Sequence, residues 1–197
     1  MTILILASQS AARKQMLEAA GVAFTARAAG VDEDAIKASL SDLGGRDLAD
    51  ALAELKAVKV SRLFPEALVL GCDSTVAAPD GTLLDKPDSR DAAAAQLRML
   101  AGATHRLSSA AVVAQHGQPV WRHVDTAKLT MRAFSDTFLD AYLDAEWPAI
   151  GGCVGGYRIE GRGAQLFARI DGSHFTILGL PLLPLLDWLR MRGVMPA

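Results

Sequence analysis

The order of hydrophobic periods along the chain constrains its fold more than any other feature. Ile3 to Ala7 is a short uninterrupted apolar run, which reads as a fully buried strand. Ser8 and Ser10 then stand before a helical stretch, Ala11 to Ala20, and Gly21 supplies its stop. Val22 to Ala28 reads as a second strand, and Asp32, Glu33 and Asp34 as an acidic loop or helix start. Leu48, Leu52, Leu55 and Val58 recur at helical spacing, with Asp47 as N-cap and Pro65 closing the helix. Apolar Ala67 to Leu70 runs directly into Gly71-Cys72-Asp73-Ser74, and Asp80-Gly81 marks a hairpin turn. Asp88 can cap an Ala-rich helix that reaches Leu100, with Gly102 ending it. His105 to Gln115 and Val120 to Met131 form two longer strands joined through His116-Gly117-Gln118-Pro119. Ser135 starts another helix, Gly151 to Gly163 holds six glycines, and Pro181 opens a last helix ending near Gly193. Early alternation followed by a central meander predicts an α/β fold. We expect one domain, residues 1–197, with a mixed, twisted central sheet flanked by helices.

Composition narrows the function. With 51% hydrophobic and 21% charged residues over 197, the chain can bury a sizeable core. Lys and Arg total 20 against 22 Asp and Glu, a net charge of −2. That excludes nucleic-acid binding by bulk electrostatics, but a small phosphate ligand needs only a local cluster of cations. Cys72 and Cys153 have no metal-ligand spacing and are expected as reduced thiols. The first apolar run is too short for a signal peptide. Phe175 to Leu186 is broken by Gly179, Pro181 and Pro184 and falls short of the ~20 residues of a membrane span. A cytoplasmic protein with no membrane partner is expected.

Several residues could carry chemistry. Ser8, Ser10 and Arg13 surround a helix N-terminus, which suits a phosphate; they also read as an ordinary N-cap with solvated basic neighbours. Asp73 follows an apolar strand, where an acid can hold a cation or orient water; a turn-forming Asp beside Ser74 is the plainer reading. Lys86, stiffened by Pro87, could meet a phosphate or be a solvated loop lysine. Lys56 could reach inward from its helix, although most helix lysines are solvated, and Glu33 also reads as a surface acid. His105 reads as a structural hydrogen-bond partner. No P-loop, dinucleotide fingerprint, zinc motif or nucleophile elbow is present. Acids, cations and hydroxyls without a convincing nucleophile fit metal-assisted attack of water on a phosphate ester or anhydride.

These residues resemble a known family. Leu4-Ile5-Leu6-Ala7-Ser8-Gln9-Ser10 with Arg13 and Leu17 is similar to the opening of the Maf nucleoside triphosphate pyrophosphatases. Gly71-Cys72-Asp73-Ser74 resembles that family's Gly-Ala-Asp-Thr element, and Asp85-Lys86-Pro87 its Gly-Lys-Pro element. Gly102-Ala103-Thr104-His105, Gly156-Tyr157 with Glu160-Gly161, and Gly179-Leu180-Pro181-Leu182 follow in the family's order.

The resemblance implies a Maf/inosine-triphosphatase-like domain, often a homodimer. It implies hydrolysis of a nucleoside triphosphate between the α and β phosphates, giving the monophosphate and pyrophosphate. The implied cofactor is Mg²⁺, or Mn²⁺ or Co²⁺ in its place. Asp73, Glu33 and Lys86 take the catalytic positions, with Asp73 and Glu33 toward the metal. Ser8, Ser10, Arg13 and Lys56 take the triphosphate. Ala12, Ser74 and Glu160 fall on the base-specificity positions. Ala11-Ala12 departs from the Pro-Arg that the family often carries before Arg13. Glu160 resembles the 7-methyl-GTP branch, whereas pyrimidine-preferring members resemble Gln there; Ala12 lacks that branch's bulky aromatic. Two rival readings are a non-catalytic nucleotide-binding regulator linked to cell division and a serine hydrolase using Ser8 or Ser74.

Overall fold

The computed structural model describes residues 3–196; Met1, Thr2 and Ala197, at the ends of the expected domain, lie outside it. The described residues form one sheet of β1 (Leu4–Leu6), β2 (Thr25–Ala26), β3 (Leu68–Ala77), β4 (Leu83–Leu84), β5 (Thr104–Gln115), β6 (Gln118–Met131) and β7 (Phe167–Asp171). Their order is β2-β1-β3-β5-β6-β7, with β4 added to β3. β1 pairs in parallel with β2 and β3, and all other pairs are antiparallel, so the sheet is mixed. Around it lie α1 (Ala11–Ala19), α2 (Glu33–Ser39), α3 (Gly45–Leu63), α4 (Arg90–Leu100), α5 (Asp136–Glu146), α6 (His174–Ile177) and α7 (Leu182–Met191).

Strand alternation decides which helix covers which face. Leu4 and Leu6 of β1, Leu70 and Cys72 of β3, and Ala111 and Val113 of β5 pack with Leu17 of α1 and Leu185 of α7. Farther along that face, Leu107 and Leu129 meet Leu97 of α4 and Leu139 and Leu143 of α5. The opposite face belongs to α3, whose Ala49, Ala53 and Ala57 lie on Ala110, Val112 and Ala114. This small-residue stripe lets α3 approach very closely. A Cβ on Gly71 would stand 2.2 Å from the Ala53 carbonyl oxygen and 2.6 Å from the Ala57 nitrogen. Thr75 Oγ1 donates to the Gly45 carbonyl at 2.7 Å and ties the start of α3 to β3.

Several local expectations need correction. Leu48 and Leu52 are buried as expected, but Leu55 is 41% exposed, because alanines rather than leucines meet the sheet. Gly44, not Asp47, is the N-cap of α3; Asp47 sits in the first turn, where its charge suits the helix dipole. Ser89, not Asp88, caps α4 by accepting from Ala92 N–H. The second strand shrinks to Thr25–Ala26, since β1 offers partners only at Ile5 and Leu6. The β5–β6 turn is His116-Gly117 alone, with both φ angles positive, as a tight two-residue hairpin requires. β7 is mostly exposed and carries no buried alternation for a sequence to display.

Candidate active site

β1 accompanies β3 only as far as Leu70, and β4 joins the same strand at Val76. The stretch between them carries Asp73 and Ser74, whose side chains leave on opposite faces of the sheet. Both line a cleft of about 900 Å³, within the roughly 300–1,000 Å³ typical of small-molecule sites. All ten residues that the family resemblance assigns to the site line it: Ser8, Ser10, Ala12, Arg13, Glu33, Lys56, Asp73, Ser74, Lys86 and Glu160.

On the α3 face, Asp73 is 7% exposed and accepts a 2.6 Å hydrogen bond from Lys56 Nζ. The same ammonium lies 2.7 Å from Glu33 Oε1. Lys56 is therefore not a solvated helix lysine. It belongs to the buried stripe of α3 with Ala53, Ala57 and Val60, and is itself 7% exposed. One buried ammonium against two carboxylates leaves an excess negative charge, which neighbouring cations offset. Burial would push the Glu33 carboxyl up. The Lys56 hydrogen bond and the charges of Lys56, Lys86 and Lys37 outweigh burial and hold it below the usual range. Lys37 in turn pairs with Asp85. Burial opposes the Lys37 charge, but Asp85, Asp73 and Glu33 outweigh it and raise its pKa. The acidic run at residues 32–34 thus starts a helix, α2, capped by Asp32 through Ala35 N–H.

On the opposite face the guanidinium of Arg13 is pinned. Its Nε donates to the Gly179 carbonyl at 2.7 Å, Nη1 to Ser8 Oγ at 3.3 Å and Nη2 to Ser74 Oγ at 3.0 Å. Ser109, fully buried, donates to the Thr176 carbonyl at 2.7 Å, and its oxygen lies 2.8 Å from Ser74 Oγ. Because Ser109 has only one O–H, Ser74 donates to it. The chain therefore runs in one direction, Arg13 to Ser74 to Ser109 to Thr176. Ser10 caps α1 by accepting from Arg13 N–H, and Ser8 Oγ accepts from Ser10 N–H. The start of α1, with its partial positive charge, opens onto the cleft.

His105 lies beneath the cleft wall. It is 1% exposed, its Nε2 lies 2.9 Å from Tyr157 Oη, and burial lowers its pKa to about 4. The imidazole is neutral and structural, and Tyr157 is the member of the pair that lines the cleft. Both cysteines are free, and burial raises the thiol pKa of each. Among the described residues no group of three or more His, Cys, Asp and Glu side chains could hold a metal ion. No described helix is long and apolar enough to cross a membrane.

Sequence reasoning missed Lys37 and Arg158, which line the cleft, and behind them Ser109, which meets Ser74, and the buried Glu146, which pairs with Arg158. Lys37 stands four residues after Glu33, a spacing that shares one helix face and could have revealed it. Glu146 follows Leu139, Tyr142 and Leu143 at core spacing, a carboxylate where an apolar residue belongs.

The Maf-like protein family model matches residues 3–192. Proteins named nucleoside triphosphate pyrophosphatase from Caulobacter vibrioides, Rhodospirillum rubrum and Sphingopyxis alaskensis are 53%, 52% and 51% identical to this chain. Those alignments cover 99%, 97% and 98% of this chain and 98%, 95% and 98% of the relatives. With matches along almost its full length, the chain belongs to the Maf family.

Proposed function

We propose that this chain is a nucleoside triphosphate pyrophosphatase, acting in the cytoplasm as a homodimer of one-domain subunits. It hydrolyses the α–β phosphate bond of non-standard or surplus nucleotides to the monophosphate and pyrophosphate. The observation that carries the reading is the division of one cleft between a carboxylate pair with its lysines and a helix start that presents Arg13.

The phosphates occupy the α1 side. Ser8 and Ser10 present hydroxyls, and Arg13, held rigid by three partners, keeps further N–H donors for a phosphate. Lys86 and Lys37 stand across the cleft and offset charge that develops on the departing pyrophosphate. Asp73 orients the attacking water; an ionised Asp is a weak base, so orientation outweighs proton abstraction. Lys56 holds Asp73 and Glu33 fixed relative to each other and favours the charged form of Glu33.

The same two carboxylates are the residues that would hold a divalent cation. With no third His, Cys, Asp or Glu grouped with them among the described residues, the two carboxylates match Mg²⁺, which completes its shell with waters and substrate phosphates, better than an all-protein zinc cage. When bound, such a cation supplies Lewis-acid charge at the phosphoryl oxygens. Mn²⁺ or Co²⁺ would substitute.

Glu160 faces the base. A carboxylate accepts from both the N1–H and the amine of guanine but from only one imide N–H of thymine, so a guanine-like base fits best. A serine-hydrolase reading loses support, since the partners of Ser8 and Ser74 are Arg13, Ser109 and a backbone N–H rather than a base.

The test is pyrophosphate release from a panel of 7-methyl-GTP, GTP, UTP, dTTP and modified pyrimidine triphosphates with Mg²⁺. Release from at least one is expected, with guanine-type bases favoured. No release from any at micromolar enzyme would leave the protein a nucleotide-binding regulator.

A further inference from the structure

Glu160 rides on a short segment that is held from behind by a side chain with no part in the chemistry above. Glu146, the last residue of α5, is 6% exposed. Its Oε2 accepts from Arg158 twice, at 2.7 Å from Nη2 and 3.2 Å from Nε. Its Oε1 accepts the backbone N–H of Arg162 at 3.3 Å. Arg158 and Arg162 flank Glu160 symmetrically, two residues to either side. The segment also closes on itself: a Cβ on Gly163 would stand 2.2 Å from the Arg158 carbonyl oxygen. Gly161 sits so close that a Cβ there would lie 3.3 Å from Glu146 Oε1. Arg158 lines the cleft with Ile159 and Glu160, near enough to feel the Glu160 charge.

A carboxylate this deeply buried is tolerated only with its lone pairs engaged. Here every partner belongs to the Glu160 segment. We propose that Glu146 is a positioning residue for base recognition: it fixes the backbone on both sides of Glu160 and occupies Arg158, so that Arg158 does not neutralise Glu160 in place of the base. This rests on the reading of Glu160 as the base-facing group.

The test compares the parent with Glu146→Gln, Glu146→Asp and the double variant Glu146→Gln/Arg158→Gln. The readouts are kcat and KM across triphosphates with different bases, inhibition by inorganic tripolyphosphate as a base-free probe, and thermal unfolding. Glu146→Gln is expected to shrink the kcat/KM ratio between best and worst base by about tenfold, chiefly through KM of the preferred base. Tripolyphosphate inhibition is expected to stay at the parent value, and Glu146→Asp to restore part of the ratio. The double variant leaves no unpaired buried charge and keeps the test open if Glu146→Gln does not fold; with no Arg158 to neutralise Glu160, it should lose only the part of the discrimination that comes from the backbone held around Glu160. Parental base discrimination in either folded Gln variant would overturn the proposal. So would equal weakening of tripolyphosphate and all nucleotides, or failure of both Gln variants to fold, each of which makes Glu146 merely structural. A parent that hydrolyses no triphosphate would instead overturn the pyrophosphatase reading, and this proposal with it.

Discussion

At the scale of single residues, the site depends on where two adjacent side chains of β3 point. Asp73 meets Lys56 on one face and Ser74 meets Arg13 on the other. Asp73→Asn keeps the shape but removes the charge. It is expected to lower kcat by roughly 100-fold or more while nucleotide binding survives, measured by steady-state kinetics and calorimetric titration. Unchanged turnover would mean that Asp73 has no part in the reaction. His105 gives a pH prediction of a different kind. Its unfolded imidazole takes a proton near the ordinary 6.5, while the folded ring stays neutral down to about 4. The unfolded state therefore binds more protons in that window, and stability falls as pH drops through it. The loss reaches about 3 kcal/mol. His105→Asn should flatten this slope in denaturant melts between pH 6.5 and 4. That Ser8, Arg13, Asp73 and Lys86 share one candidate site was legible, because they sit in short motifs beside punctuating Ser, Gly and Pro, and all four line the cleft. Ser109 and Glu146 were not: Ser109 lies 35 residues from Ser74, and Glu146 lies 12 and 16 residues from Arg158 and Arg162, so neither contact is written in a local motif.

At the scale of elements, α3 is the part that hydrophobic pattern misjudged. Leu48 and Leu52 mark the helix and are buried, but the residues it lays on β5 are Ala49, Ala53 and Ala57, with Lys56 buried among them, and a pattern built on large apolar residues does not weigh these. Close approach is the physical cause, and Gly71 is its test. Gly71→Ala places a methyl 2.2 Å from the Ala53 carbonyl oxygen, so α3 must move away from β3. Because backbone rather than a flexible side chain is in the way, a loss of about 1–3 kcal/mol is expected. Lys56 moves with the helix, so activity should fall beyond what the fraction unfolded explains. Thermal melts read alongside kcat at a permissive temperature would separate the two effects. β1, the start of β3 and the β5–β6 hairpin were legible from apolar runs and turn residues; β2 was legible as a strand but read too long, and β7 is too short and exposed to display a period.

At the scale of the whole molecule, the near balance of 20 cationic and 22 acidic residues conceals a local separation of charge. Lys56 lies between Asp73 and Glu33, while Arg13, Lys37 and Lys86 share the same cleft with them. A polyanion is attracted to that cleft without the strongly basic surface that nucleic-acid binding requires. The fold makes this possible because β1 ends early and leaves the middle of β3 facing the cleft, between helices from both sides of one sheet. At this cleft, we propose, water cleaves a nucleoside triphosphate between its α and β phosphates. The most direct measurement is product identity: the enzyme with Mg²⁺ and its preferred triphosphate, the products separated and quantified. Equimolar nucleoside monophosphate and pyrophosphate, with no diphosphate intermediate and no free phosphate, is the predicted result. Nucleoside diphosphate with inorganic phosphate would contradict it.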